Sequence, residues 1–251
     1  MPTLINIIGL YKKFTSLNNN IIDALSNVSF NIARGEFVSI IGPSGSGKST
    51  LLNTISNLTN ISKGKIEFFE NKKPTIGYVF QDNSIFPWRT VIDNITFALE
   101  VKKTHTKTKN EIANMICTQI GLNPEIYLDK YPKELSGGEK RRIAIGMAIA
   151  YNPELLLLDE PTTQLDYINK WKIQNLIQDI WLEKKMTTLL VTHDIEESIY
   201  LGNRVVILEN GIIKADIKIE LPRPRKNDLR NNNLFIEYKQ KIMEYFTKVD
   251  D

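Results

Sequence analysis

The stretch Gly42-Pro43-Ser44-Gly45-Ser46-Gly47-Lys48-Ser49-Thr50 fits the pattern G-x-x-x-x-G-K-[ST]. It lies between an apolar, β-rich run and a helical pattern, which is the setting that pattern needs. Glycines let the backbone bend until successive N–H groups aim at phosphate oxygens. A helix opening at Lys48 adds the favourable end of its dipole. Lys48 can then bridge the β- and γ-phosphates of a nucleotide, and Ser49 can ligate Mg²⁺. The plain alternative is a glycine-rich turn before an ordinary helix, and the flanking strand and helix weigh against it.

Two further segments carry chemistry. Leu155-Leu156-Leu157-Leu158-Asp159-Glu160 ends an apolar run in two carboxylates. Beside a phosphate loop, Asp159 is suited to Mg²⁺ and Glu160 to polarising an attacking water. Without that loop, an acidic turn after a strand would explain them as well. Leu135-Ser136-Gly137-Gly138-Glu139 places a serine three residues before a glutamate, a capping box for the next helix. The same geometry offers free N–H groups and a hydroxyl to an anion. The two readings are compatible.

These segments must be held by regular elements. Val28, Phe30 and Ile32 alternate with polar residues, and Phe37 to Ile41 is a short β-rich run. A helix is expected from Lys48 to Leu58, with Leu51, Leu52, Ile55 and Leu58 on one face. Strands are expected at Lys65 to Phe69 and Ile76 to Phe80. From Val91 to Tyr151 the pattern is mostly helical, with Ile112, Met115, Ile116 and Ile120 sharing a face and a further helix from Glu139. Strand patterns return at Leu155 to Leu158 and Thr187 to Thr192, separated by a helix from Ile168 to Leu182. A short helix spans Asp194 to Leu201. Val205 to Leu208 and Ile212 to Ile217 flank Asn210-Gly211, a hairpin signal. Leu221-Pro222-Arg223-Pro224-Arg225 then leads into a polar tail, amphipathic from Phe235 to Phe246. The expected fold is α/β: sheet, helical insertion, sheet.

Composition narrows the class. The chain has 251 residues, 42% hydrophobic and 24% charged, with a net charge of +3. No basic stripe points to nucleic acid. One cysteine, Cys117, cannot form an internal disulfide, which fits a reducing compartment. The opening residues lack a basic stretch followed by an apolar one, so no secretory signal is expected. Apolar runs such as Ile143 to Tyr151 are about half the length a bilayer crossing needs.

The phosphate loop, Leu-Ser-Gly-Gly, Asp-Glu and a later histidine, in this order and spacing, resemble the ATP-binding cassette (ABC) ATPases over about residues 3 to 220. The resemblance implies a P-loop NTPase core with an antiparallel β subdomain and a helical subdomain, the latter near residues 84–152. The tail, 221–251, carries one amphipathic helix. It also implies ATP and Mg²⁺ as cofactors, with Gly42 to Thr50 holding the phosphates and Ser49, Gln81 and Asp159 serving the metal. Glu160 acts on water. His193 resembles the family's switch histidine at the γ-phosphate. Gln81 resembles the switch glutamine that reports to a membrane subunit. Phe14, with Tyr11 as its rival, resembles the aromatic that stacks on adenine. In this family two cassettes pair head to tail, so that Ser136, Gly137 and Gly138 of one face the nucleotide held by the other, and Asp166 lies in a loop crossing that interface. Gln164 departs from the pattern, standing where alanine or glycine is usual.

Gln81 to Val91, with the apolar wedge Phe86-Pro87-Trp88, resembles the nitrate, sulfonate and taurine importer ATPases, as does Leu221 to Arg225. Thr162 and Thr163 depart from those relatives. The wedge is either a hydrophobic staple for the following helix or a socket for a permease. The implied partners are a second cassette, a transmembrane permease near Phe86 to Trp88 and, indirectly, an extracellular solute-binding protein. The implied location is the cytoplasmic face of the cell membrane. A cassette without a transporter, such as an iron–sulfur assembly ATPase, is the alternative. A DNA-repair clamp would need a coiled coil or a second cassette.

Overall fold

The computed structural model describes residues 2–15, 19–82, 85–102 and 108–247. Asn83 and Ser84 of the expected wedge segment lie outside the described residues, as does Ser84 as the start of the expected helical subdomain. The chain forms two compact units, Met1–Lys73 with Thr187–Asp251, and Pro74–Met186.

In the first unit, β1 (Thr3–Thr15) pairs antiparallel with both β2 (Ile21–Ala33) and β4 (Lys63–Phe68) in a three-stranded sheet. Leu4, Ile5, Ile7 and Leu10 are buried along β1. Their spacing is not strictly alternating because the register shifts between Ile7 and Leu10, where Gly9 takes φ +53°. A second sheet sets β3 (Phe37–Ile41) between β7 (Thr187–Thr192) and β8 (Arg204–Glu209), all parallel, with β9 (Ile212–Lys218) antiparallel at its edge. Every residue of β3 and β7 is buried. Both strands lack charged residues and are largely apolar or β-branched, as expected where both faces are covered. Asn210 and Gly211 both have positive φ, 48° and 73°, as a two-residue type I′ hairpin requires.

Helix α1 (Lys48–Ile55) is shorter than the expected Lys48 to Leu58. Asn57 turns left-handed at φ 67°, which ends the helix, and Leu58 is 60% exposed instead of joining the buried face. Helix α7 (Ile195–Leu201) follows β7, and α8 (Asn233–Thr247) closes the described chain with Phe235 and Ile242 buried.

The second unit pairs β5 (Ile76–Val79) in parallel with β6 (Leu155–Asp159). Its helices are α2 (Val91–Lys102), α3 (Lys109–Gln119), α4 (Pro124–Tyr127), α5 (Gly137–Ile149) and α6 (Tyr167–Lys184). On α3 the buried face is Ile112, Ala113, Ile116 and Cys117. Met115, expected on that face, is 41% exposed, because it lies three residues from Ile112 on the far flank of the stripe. Among the described residues no helix is long and apolar enough to cross a membrane.

Candidate functional site

In the first unit the phosphate loop bridges β3 and α1. A Cβ on Gly42 would sit 1.9 Å from the Leu208 carbonyl, and one on Gly47, at φ +98°, would sit 2.3 Å from the Ala24 carbonyl. Only glycine fits either position. Ser46 N–H donates to Pro43 O at 3.2 Å, and the hairpin turn braces the loop through Gly211 N–H to Ser46 O at 3.1 Å. Lys48 folds back over the loop, donating Nζ to Gly42 O at 2.9 Å and Pro43 O at 2.8 Å. Pro43, Ser44 and Gly45 are exposed, while Ser49 and Thr50 stand half-buried in the first turn of α1. Ser46 Oγ is buried without a hydrogen-bond partner among the described residues. An orphan hydroxyl, a buried ammonium and a glycine-shaped cradle fit a polyphosphate.

His193 is exposed just beyond β7. It lines a cavity of about 250 Å³ together with Gly42, Pro43, Ile195, Met243 and Phe246. The structure therefore brings the expected histidine to the entrance of the phosphate loop. Phe14 is 41% exposed near the end of β1, with Lys12 Nζ 4.6 Å from its ring centroid. Tyr11 is half-buried and pairs with Lys63 on β4. Of the two aromatics, Phe14 offers the freer face for stacking.

In the second unit, Asp159 ends β6 and is buried. The Tyr78 hydroxyl on β5 hydrogen-bonds its carboxylate; burial first, and then the Asp159 charge, pushes that hydroxyl well above the usual phenol range. Glu160 takes the left-handed region at φ 46°, a strained conformation that concentrates at functional sites. Its Oε2 accepts from Gln81 Nε2 at 3.3 Å and from Thr163 Oγ1 at 2.8 Å. The buried Arg141 donates Nη1 to Phe80 O at 2.9 Å and Nη2 to Gln81 O at 2.8 Å, which fixes the backbone that presents Gln81.

Ser136 caps α5 with the expected box. Its side chain accepts from Glu139 N–H, and Glu139 Oε2 accepts from Ser136 N–H at 2.7 Å and Ser136 Oγ at 2.8 Å. The Tyr127 hydroxyl also donates to Glu139, at 2.6 Å, and these contacts hold its carboxyl below the usual range. A Cβ on Gly137 would meet nothing within 4 Å, while one on Gly138 would touch Asn169 at 3.3 Å. Asn169 in turn donates its backbone N–H to Asp166 Oδ1 at 3.0 Å and its Nδ2 to Asp166 Oδ2 at 2.5 Å. Asn169 thus lies beside Gly138 and bonds the exposed Asp166, which caps α6.

Tyr78, Arg141 and Asn169 have no role legible in the sequence, and Thr163 none beyond its departure from the importer relatives. Each supports a residue that the motifs do pick out, and each lies on a strand, helix or turn where its type is unremarkable. The signal that finds them is spatial: Tyr78 pairs with Leu157 across the β5–β6 ladder, two residues before Asp159.

Residues 25–163 match the ABC transporter family. An uncharacterized ABC transporter ATP-binding protein of Methanocaldococcus jannaschii is 40% identical over 237 residues, covering 92% of this chain and 87% of the relative. The chain belongs to the ABC transporter family. The aliphatic sulfonates import ATP-binding protein SsuB of Bacillus licheniformis is 42% identical over 228 residues, covering 88% of this chain and 86% of the relative. SsuB of Bacillus subtilis is 40% identical over 233 residues, covering 90% and 88%. A dimeric ATP-binding cassette, solved in a post-hydrolysis state with ADP and Pi, superposes with a TM-score of 0.78 at 32% identity, covering 87% of this chain and 100% of that one. The cassette is an ATP-binding ATPase with the ABC ATPase fold, and its resemblance to sulfonate-importer ATPases extends over most of its length.

Proposed function

We propose that this ATPase is the motor subunit of an importer for a small organic anion such as an aliphatic sulfonate, and that the wedge Phe86-Pro87-Trp88 seats its permease. The observation that carries the docking role is an apolar cleft of about 410 Å³ in the second unit, walled by Tyr78, Phe80, Phe86, Trp88, Phe97 and Met147. Trp88 is 72% exposed at its edge. Buried Asn94 braces the loop, accepting from Phe86 N–H at 2.7 Å and donating to the carbonyls of Phe86, Arg89 and Thr90 at 3.2, 3.1 and 2.9 Å. Such an aromatic on a rigid, preformed loop is suited to anchor a partner's helix. The substrate class is supported by the importer relatives, which are named for aliphatic sulfonates. Delivery to the permease falls to an extracellular binding protein.

In this reading Ser46, Lys48 and the loop N–H groups hold the ATP phosphates, Phe14 stacks on adenine, and Ser49, Gln81 and Asp159 hold Mg²⁺. The metal, when bound, would neutralise phosphate charge; its usual demand for one or two carboxylates among phosphates and waters is met by Asp159. Glu160 takes the proton of the attacking water, and His193 donates to the γ-phosphate. Two chains pair head to tail, with Ser136, Gly137, Gly138 and Asp166 acting across the interface. The test is uptake. Trp88→Ala in the assembled transporter should abolish transport while the ATPase of the isolated cassette stays within about twofold. Uptake at the unaltered rate would overturn the docking role.

A further inference from the structure

The segment after β9 grips α7 at both ends. Arg225 is 1% exposed. Its Nη1 donates to the carbonyls of Ile199 at 2.6 Å, Tyr200 at 3.1 Å and Gly202 at 2.7 Å. These are carbonyls of the last turn of α7 and its cap, groups that a helix end leaves without internal partners. The Tyr200 hydroxyl returns a bond to Arg225 O at 2.6 Å, and Arg223 donates to Leu201 O. At the other end, Glu196 in the first turn accepts from Lys239 Nζ at 2.5 Å and Arg230 Nη1 at 3.4 Å. From α8, Met243 and Phe246 share a cavity with Gly42, Pro43 and His193.

His193 sits at the root of this clamped helix. Asp194 is the N-cap of α7, its side chain accepting from Glu197 N–H at 2.9 Å. Thr192 Oγ1 accepts from Asp194 N–H at 3.1 Å and donates to Glu197. The residues on either side of His193 are therefore part of the α7 cap. A helix of two turns has few internal hydrogen bonds, so fraying at one end reaches the other.

We infer that the C-terminal segment is a clamp on α7, and that Arg225, its buried anchor, is a positioning residue for His193 in ATP hydrolysis. The three α7 carbonyls share Nη1 while Nη2 reaches Leu221 O at 3.4 Å, a spread across one planar guanidinium that a lysine's single ammonium cannot reproduce. Leaving buried carbonyls unpaired loosens the last turn. The inference rests on the reading of His193 as a γ-phosphate contact and adds the element that aims it.

The chain has two histidines, so full-length protein carrying His105→Gln gives one imidazole signal, that of His193, in ¹H–¹⁵N spectra. In that background Arg225→Lys should shift or broaden the His193 signal. It should lower kcat about tenfold with the KM for ATP within about twofold, because the phosphate loop is untouched. A fall in kcat with the His193 signal unmoved would overturn the inference, as would an unchanged kcat. His193→Ala is the separate control: an unaltered kcat there would remove the reading of His193 itself. If Arg225→Lys fails to fold, Glu196→Gln loosens the exposed end of the same clamp. It should lower kcat about two- to threefold with a matching shift of the His193 signal; a silent spectrum would overturn the clamp.

Discussion

Gln81 Nε2 donates to Glu160 Oε2 at 3.3 Å, joining the loop after β5 to the loop after β6 within one unit. Thr163 Oγ1 holds the same oxygen at 2.8 Å. The carboxylate proposed as the base is thus aimed by two donors before any water reaches it. Thr163→Val removes the shorter bond while keeping the side chain's volume. The kcat should fall about three- to tenfold with ATP affinity unchanged, the net worth of one ordinary hydrogen bond, since the carboxylate keeps the Gln81 donor. Steady-state kinetics with nucleotide titration checks this, and an unchanged kcat would show that the Thr163 bond is not what aims the carboxylate.

Lys48 is buried, and its ammonium rests on two loop carbonyls. Lys48→Ala removes the loop's only side-chain cation, so phosphate charge would go uncompensated. ATP affinity should drop at least about tenfold, the scale of one charged hydrogen bond. Calorimetric titration reads it directly, and unaltered affinity would refute the phosphate-loop assignment.

The elements that carry these groups were largely legible because each had a local cause. The phosphate loop lay between strand and helix, the Ser136–Glu139 box capped α5, and Asn210-Gly211 turned the β8–β9 hairpin. What stayed hidden had no local cause. Strand β1 lost its alternation to register shifts, and α1 stopped at a left-handed Asn57 that no pattern announces. The tail read as polar, yet Arg225 is buried by carbonyls more than twenty residues away in sequence. Glu160 was legible as a carboxylate but not as a residue at φ 46°.

Gln164 gives a stability test. It is exposed, at φ 64°, the third residue of a turn in which Leu165 N–H donates to Thr162 O at 3.4 Å. That position favours glycine, which together with alanine is the residue usual there by the resemblance. The left-handed penalty of about 1–2 kcal/mol outweighs the entropy that glycine costs. Gln164→Gly should stabilise the chain by about 0.5–1 kcal/mol and raise Tm by about 1–3 °C. A thermal melt decides it, and a fall in Tm would mean that the glutamine side chain makes a stabilising contact.

Cys117 is buried on α3, and burial pushes its thiol up to about 11 from 9.0. Below pH 9 both folded and unfolded chains keep the proton. Above it the unfolded thiol ionises first, so this group's contribution to stability falls as pH rises toward 11. At pH 8 the native thiol should resist a thiol reagent that labels the urea-unfolded chain at once. Cys117→Ser should keep full ATPase activity. Rapid labelling of the native protein would contradict its burial.

Glu160→Gln should bind ATP, fail to hydrolyse it and lock two chains together. Lys48 and Asp159 remain, so nucleotide and metal keep their ligands. Glutamine has the size of glutamate, and its amide oxygen can still accept from Gln81 or Thr163, so the left-handed turn at residue 160 is preserved. It is a far weaker base, so turnover should fall at least about a hundredfold. If Ser136 and the glycines beside it grip the γ-phosphate across the interface, unhydrolysed ATP contacts both partners only in the dimer, and linkage favours that state. Light scattering should show monomer without nucleotide, dimer with ATP and monomer with ADP. Ser136→Arg in the same chain places bulk and charge at the start of α5, where Gly137 now leaves open space, and should weaken the dimer. A Glu160→Gln chain that stays monomeric at saturating ATP leaves two explanations, and repeating the measurement with the membrane subunit present separates them. Pairing there would make the permease the scaffold for the dimer, whereas a persistent monomer would refute the role of Ser136 in trans.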